Sequence, residues 1–150
     1  MSHLVVSTRI DAPPAAVWAD VEDISTHVRW MADAESIVFT SEQASGVGTT
    51  FDCRTRIGPI ALTDRMEITA WEPGRRMGVR HSGIVTGSGE FRLEPLDGGS
   101  ATQFTWEEDL RFPTWSGGPV AAAVATPVMR AVWRGNVARL RDMVESGIRS

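Results

Sequence analysis

ATQFTWEEDLRF, residues 101–112, and PVAAAVATPVMRAVWRGNVARLRDMVESGI, residues 119–148, together decide the fold. In the first stretch Phe104, Trp106, Glu108, Leu110 and Phe112 share one side of a period-two pattern. Gln103, Thr105, Glu107, Asp109 and Arg111 share the other, so this is a strand with one apolar face and one wet face. In the second stretch Met129, Trp133, Val137, Leu140 and Val144 recur at helical spacing and form an apolar stripe. Pro127 interrupts that run, and its ring predicts a kink or a restart of the helix. The loop between them, 113–118, carries Trp115. A sheet with one apolar face needs a cover, and only the last helix is long enough to provide it.

The rest of the chain supplies that sheet. Leu4–Ala12 reads as a strand, with Val6, Thr8 and Ile10 on one face, and Asp11-Ala12-Pro13-Pro14 ends it. Pro14 suits the first helical position, and Ala15–Ile24 places Val17, Trp18, Val21 and Ile24 at helical spacing. Ser25 or Thr26 is then the expected cap of a second short helix ending near Met31. From Glu35 the period falls to two, giving strands over Glu35–Thr40, Thr49–Ile57, Ile60–Trp71, Arg75–Ser82, Val85–Glu94 and Ala101–Phe112. The joints carry turn chemistry: Ser45-Gly46-Val47-Gly48, Gly58-Pro59, Glu72-Pro73-Gly74, Ser82-Gly83 and Asp97-Gly98-Gly99. Joints this short imply antiparallel hairpins. The expected class is therefore α+β, a single domain over 1–150 with seven strands, two short helices after the first strand, and one long helix.

Composition agrees and excludes several functions. Apolar residues make up 42% and charged residues 23%, which is ordinary for a globular domain. A chain of 150 residues buries roughly 68–70% of its unfolded surface and needs no staples. One cysteine, Cys53, permits no internal disulfide, in keeping with a reducing compartment. The net charge of −4 lacks the basic footprint that nucleic-acid binding requires. The opening residues show no signal-peptide pattern, and no run approaches the ~20 apolar residues of a bilayer span. The expected location is the cytoplasm. His3, His27 and His81 lie far apart in sequence, and no His/Cys spacing suggests a metal site. Gly46-Val47-Gly48 and Gly87-Ser88-Gly89 lack the third glycine and the following helix of a phosphate-binding loop, so no cofactor is expected.

The order and local sequences resemble the START-like (SRPBCC) superfamily with its helix-grip, Bet v 1-like fold, in the polyketide cyclase/dehydrase-like branch. The resemblance rests on Ile10-Asp11-Ala12-Pro13 followed by Val17-Trp18, on Trp30, and on Gly46-Val47-Gly48-Thr49 entering a strand. It continues with Trp71-Glu72-Pro73 at a hairpin and Thr105-Trp106-Glu107-Glu108 in the last strand, and so spans nearly the whole chain. It implies a curved seven-stranded sheet gripping the C-terminal helix around a cavity. It also implies small apolar or amphipathic ligands such as lipids, polyketides or aromatic metabolites. It implies no particular reaction.

Strand parity names the expected cavity wall. The inner face takes Phe51, Cys53, Thr55 and Ile57 from one strand, and Leu62, Asp64, Met66 and Ile68 from the next. It then takes Met77, Val79 and His81, followed by Gly87, Gly89, Phe91 and Leu93, and finally Phe104, Trp106 and Glu108. Met129, Trp133 and Leu140 close it from the helix. Gly87 and Gly89 put no side chain there, which either leaves room for a ligand or permits sharp bending and close approach of the helix. Cys53 reads as a small buried hydrophobe. Trp30 and Trp115 either flank the entrance or pack.

Asp64, His81 and Glu108 are ionisable groups on this apolar face. Treating Pro73-Gly74 as a two-residue hairpin pairs Met66 with His81, with Asp64 diagonal to it and Glu108 two strands away at a similar level. Such groups must be paired, solvated or shifted in pKa. Three functions follow. The first is a binding protein for a small apolar or amphipathic molecule, acting as monomer or homodimer. The second is a cyclase- or dehydratase-like enzyme using Asp64, His81 and Glu108 as acid/base groups. The third is a protein-interaction module built on a sheet edge or the Trp115 loop.

Overall fold

The computed structural model describes residues 2–113 and 119–149. Its elements are β1 (Ser2–Ile10), α1 (Pro14–Val21), a 3-10 helix (Ile24–Arg29), β2 (Ala34–Phe39), β3 (Thr50–Ile57), β4 (Ile60–Glu72), β5 (Arg76–Ser82), β6 (Thr86–Leu96), β7 (Ala101–Arg111) and α2 (Pro119–Arg149). The seven strands form one antiparallel sheet in the order β1-β7-β6-β5-β4-β3-β2. Consecutive strands from β2 to β7 are neighbours because their connections are short. β1 and β2 occupy opposite edges, so α1 and the 3-10 helix carry the chain from one edge to the other. This is the helix-grip α+β arrangement.

The apolar stripe of α2 is the cover that the sheet needs. Met129, Trp133, Val137, Leu140 and Val144 are all buried. Trp133 stacks on Trp106 of β7 at 4.3 Å between ring centroids and 12° between planes. Such a pair contributes about 0.5–1.5 kcal/mol beyond its buried area. The assigned helix runs on through Pro127 without the expected restart. Trp115 lies outside the described residues.

Three local expectations change. Asp23, not Ser25 or Thr26, caps the 3-10 helix, its carboxylate accepting the Ser25 backbone N–H at 3.2 Å. Trp30 does not flank an entrance; it is fully buried, and its ring lies against those of His27, Phe91, Phe104 and Trp106. Its indole N–H is the one buried side-chain polar atom among the described residues without a hydrogen-bond partner. Aromatic faces are weak acceptors, and those rings surround it.

The third concerns the β4–β5 hairpin. Glu72 pairs with Arg76, so the loop holds three residues rather than two. Pro73 and Gly74 (φ 76°) turn the chain, and Arg75 N–H donates to the Glu72 carbonyl at 2.9 Å. A bulge between Ile68 and Ala70 then leaves Thr69 without a partner. The two single-residue offsets cancel, so Met66 still pairs with His81. The bulge also turns Trp71 inward, opposite Met77 and edge-on to Trp18 at 5.3 Å.

The outer face of the sheet carries ion pairs. Arg92 joins Glu90 and Glu107, Arg76 joins Glu72 and Glu90, and Arg80 joins Glu67. These exposed pairs contribute little stability individually, but they hold the arginine side chains on the outer side.

Candidate ligand-binding site

A cavity of about 780 Å³ lies between the inner face of the sheet and α2. That volume falls within the range of small-molecule pockets. Its walls follow from strand parity. Phe51 and Cys53 come from β3, Asp64 and Met66 from β4, Val79 and His81 from β5, Phe91 from β6, and Trp106 and Glu108 from β7. Met129 and Trp133 close it from α2. Most of the remaining lining is aliphatic, including Ile37, Ile57, Leu62, Met77 and Leu110. Ile60, Ile84, Val124 and Val128 also line it and are exposed, which marks the mouth at the hairpin tips and the first half of α2.

Five expected wall residues do not line it. Leu93, Phe104 and Leu140 are buried in the core behind the cavity. Gly87 and Gly89 are absent from the wall for different reasons. Gly87 has a φ of 132°, and a Cβ there would stand 2.0 Å from the Asp109 carbonyl oxygen, so only glycine fits. Gly89 faces Glu108 in register, and a Cβ there would lie 2.6 Å from the Glu108 carboxyl group. The space left by Gly89 is filled by Glu108 rather than left for a ligand.

This glycine gap explains the polar cluster. β6 lies between β5 and β7, so His81 and Glu108 sit on strands that are not adjacent. Across Gly89 their side chains meet: His81 Nε2–H donates to Glu108 Oε2 at 2.6 Å. His81 Nδ1–H donates to both Asp64 oxygens, at 3.0 and 2.9 Å. Trp106 Nε1–H donates to the other Glu108 oxygen at 3.1 Å. The chain of contacts runs Asp64–His81–Glu108–Trp106 and ends on the Trp133 stack.

Burial alone drives an imidazole towards neutrality. Here the Glu108 charge and the Asp64 and Glu108 hydrogen bonds outweigh it and push the His81 pKa up to about 10. His81 is therefore an imidazolium between two carboxylates at neutral pH. His27, which also lines the cavity, behaves in the opposite way: burial lowers its pKa to about 4, against the opposing hydrogen bond to the Val21 carbonyl. That bond, 2.7 Å from Nε2, puts the proton of the neutral ring on Nε2. Burial pushes the Cys53 thiol up to about 11, so it is no nucleophile at neutral pH.

The sequence reading missed Asp33, which lines the cavity, and the residues behind the wall that hold it. Asp33 accepts from Asn136 Nδ2 at 2.8 Å. Asn136 is fully buried, and its Oδ1 accepts the Ala32 N–H at 2.9 Å. Arg139 Nε donates to the Trp30 carbonyl at 3.1 Å. These bonds tie the segment between the 3-10 helix and β2 to α2. The signal for Asn136 was present, since it follows Trp133 by three residues and precedes Leu140 by four, a polar residue on the apolar stripe. His27, Met31 and Asp33 lie where neither period applies, so no pattern gives their direction.

Among the described residues no helix is long and apolar enough to cross a membrane. A comparison with curated proteins finds no match. Solved structures of the same fold are numerous. A protein from Thermus thermophilus superposes with a TM-score of 0.77 at 16% identity, covering 97% of this chain and 99% of that one. The Zhui aromatase/cyclase from a Streptomyces species gives 0.70 at 21% identity, covering 97% and 92%. A START superfamily protein from Mycobacterium smegmatis gives 0.74 at 10% identity, covering 96% and 97%. Identities this low establish shared fold alone. The family model described as polyketide cyclase / dehydrase and lipid transport matches residues 1–145, and the chain belongs to that family.

Proposed function

We propose that this protein binds one small apolar or amphipathic molecule, of the lipid, polyketide or aromatic-metabolite class, in the cavity between sheet and α2. The observation that carries this reading is the cavity itself: about 780 Å³, walled by aliphatic and aromatic side chains, with an ion cluster at one place on the wall. Apolar pockets with a few placed polar groups are the usual form of small-molecule sites. The apolar mouth residues Ile60, Ile84, Val124 and Val128 fit the passage of an apolar ligand.

Native mass spectrometry of the protein as purified, followed by solvent extraction, tests it. The expected result is a 1:1 adduct of an apolar molecule, reduced in Val79→Trp and Met129→Trp, whose indoles take up part of the cavity. Thermal melts identify any variant that fails to fold. An adduct undiminished in folded variants of both kinds places the ligand elsewhere.

A second reading has one specific observation behind it. Asp64, His81 and Glu108 are joined by direct hydrogen bonds on the wall of an apolar cavity, as acid/base chemistry on a bound substrate would need. Both His81 nitrogens are engaged, so Asp64, whose side chain is 18% exposed against 5% and 6% for His81 and Glu108, is the member a substrate meets first. On this reading Asp64 exchanges the proton, and His81 and Glu108 position it. Turnover of a polyketide-like substrate that is lost in Asp64→Asn while binding persists would favour it.

A further inference from the structure

The polar groups of the cavity are one-sided. His81 has both N–H groups engaged by carboxylates, and the Trp106 N–H is engaged by Glu108. The His27 N–H is engaged by the Val21 carbonyl, and the Thr55 hydroxyl by Cys53 Sγ. Among the described wall side chains only the Trp133 indole N–H, a single neutral donor on the ring stacked against Trp106, has no hydrogen-bond partner. Acceptors do remain. The two Asp64 oxygens share a single His81 proton, leaving lone pairs on the most exposed member of the cluster.

Charge points the same way. All 15 basic Lys/Arg residues of the chain are arginine, and none lines the cavity among the described residues. Arg76, Arg80 and Arg92 are held on the outer face of the sheet by Glu72, Glu67, Glu90 and Glu107. On the inner side, Asp33, Asp64 and Glu108 face one imidazolium. A carboxylate on a ligand would enter a space that already holds excess negative charge and offers it no free cation, with the neutral Trp133 N–H as its one open side-chain donor.

We infer that the ligand carries a hydrogen-bond-donor head, a hydroxyl, phenol or amine, which docks on Asp64, and that the cavity discriminates against carboxylate-headed molecules of the same body. This rests on the cavity being the binding site and adds the chemical class of the head group. Free fatty acids and aromatic acids are then poor ligands, while the corresponding alcohols, phenols and amines are good ones.

Matched series test it on the full chain at pH 7, with tryptophan fluorescence or calorimetry as the readout. One series is 1-dodecanol, dodecylamine, dodecyl methyl ether and dodecanoate; the other is 2-naphthol, 2-methoxynaphthalene and 2-naphthoate. Within the series whose body fits, the donor-headed members are expected to bind about 10-fold tighter than the ether and on the order of 100-fold tighter than the carboxylate. Asp64→Asn, which replaces acceptors with a donor amide, is expected to narrow the gap to the carboxylate by at least about 10-fold. If ether and carboxylate bind as tightly as the alcohol, the head-group inference fails and the cavity reading stands. If no member of either series binds, both fail together.

Discussion

His81 Nε2 lies 2.6 Å from Glu108 Oε2, although a whole strand separates the two residues. The contact is possible because the β6 positions paired with them are both glycines, Gly87 opposite His81 and Gly89 opposite Glu108. Structural glycines thus assemble the polar part of the site. The cluster that results is a cation at neutral pH between two carboxylates, anchored through Trp106 to the stack that clasps sheet to helix.

Gly89→Ala tests this directly. The added Cβ would stand 2.6 Å from the Glu108 carboxyl carbon and must displace that side chain. A loss of about 1–3 kcal/mol in urea denaturation is expected, together with a fall in the His81 pKa, read by NMR titration of the ring. An unchanged titration would mean that Glu108 does not depend on the gap.

The two buried histidines give stability opposite pH dependences. The folded-state pKa of His81 is raised from 6.5 to about 10, so its contribution is complete below pH 6.5 and is lost as pH climbs towards 10. The folded-state pKa of His27 is lowered from 6.5 to about 4, so its contribution is present above pH 6.5 and is lost as pH falls towards 4. Each limb is worth several kcal/mol at most. Denaturant midpoints measured from pH 4 to 10 should show His81→Gln flattening the alkaline limb and leaving the acid limb. A variant whose alkaline limb keeps the wild-type slope would contradict this assignment.

His81→Gln should also be destabilising in itself. It leaves Asp64 and Glu108 close together with no cation between them, an expected loss of roughly 3–5 kcal/mol near pH 7. The deficit should shrink in the double variant His81→Gln/Asp64→Asn, which removes one of the two facing charges. A deficit unchanged in that double variant would point to lost packing instead of uncompensated charge.

Trp133→Ala removes the stack on Trp106 and a buried side chain from the centre of the α2 stripe. An expected loss of about 3–5 kcal/mol, with disappearance of the near-ultraviolet dichroism of the coupled indoles, checks the clasp. Retention of that signal would assign it to another of the aromatic pairs.

Cys53 lines the cavity but is buried, with its thiol raised to about 11. Iodoacetamide labelling at pH 8, followed by intact mass, should be slow in the native protein and slower still with ligand bound. Labelling as fast as in urea would mean that the wall is open to solvent.

Most of the architecture was readable from two periods, because a period-two run and a helical stripe each define a face. The inner faces of β3, β5 and β7 followed at once, and so did the proximity of Asp64, His81 and Glu108. The reading of the β4–β5 hairpin reached the right register through a wrong turn: a three-residue loop and the Thr69 bulge offset one another, and sequence patterns display neither. Depth was harder than direction. Phe104 and Leu140 face inward yet are sealed in the core, since parity gives the side of a sheet and not the distance to the opposite element. Gly87 and Gly89 read either as room for a ligand or as bending and close approach, because what fills the space beside a glycine depends on the neighbouring strand.

The most direct test is a titration of protein labelled with 13C at its methionine methyls. Met31, Met66, Met77 and Met129 line the cavity, while Met143 packs against the core outside it. With 1-dodecanol or 2-naphthol as ligand, the first four methyl signals should shift with one common saturation curve while that of Met143 stays in place. Shifts confined to Met143, or none at all at saturating ligand, would contradict a binding site between the sheet and α2.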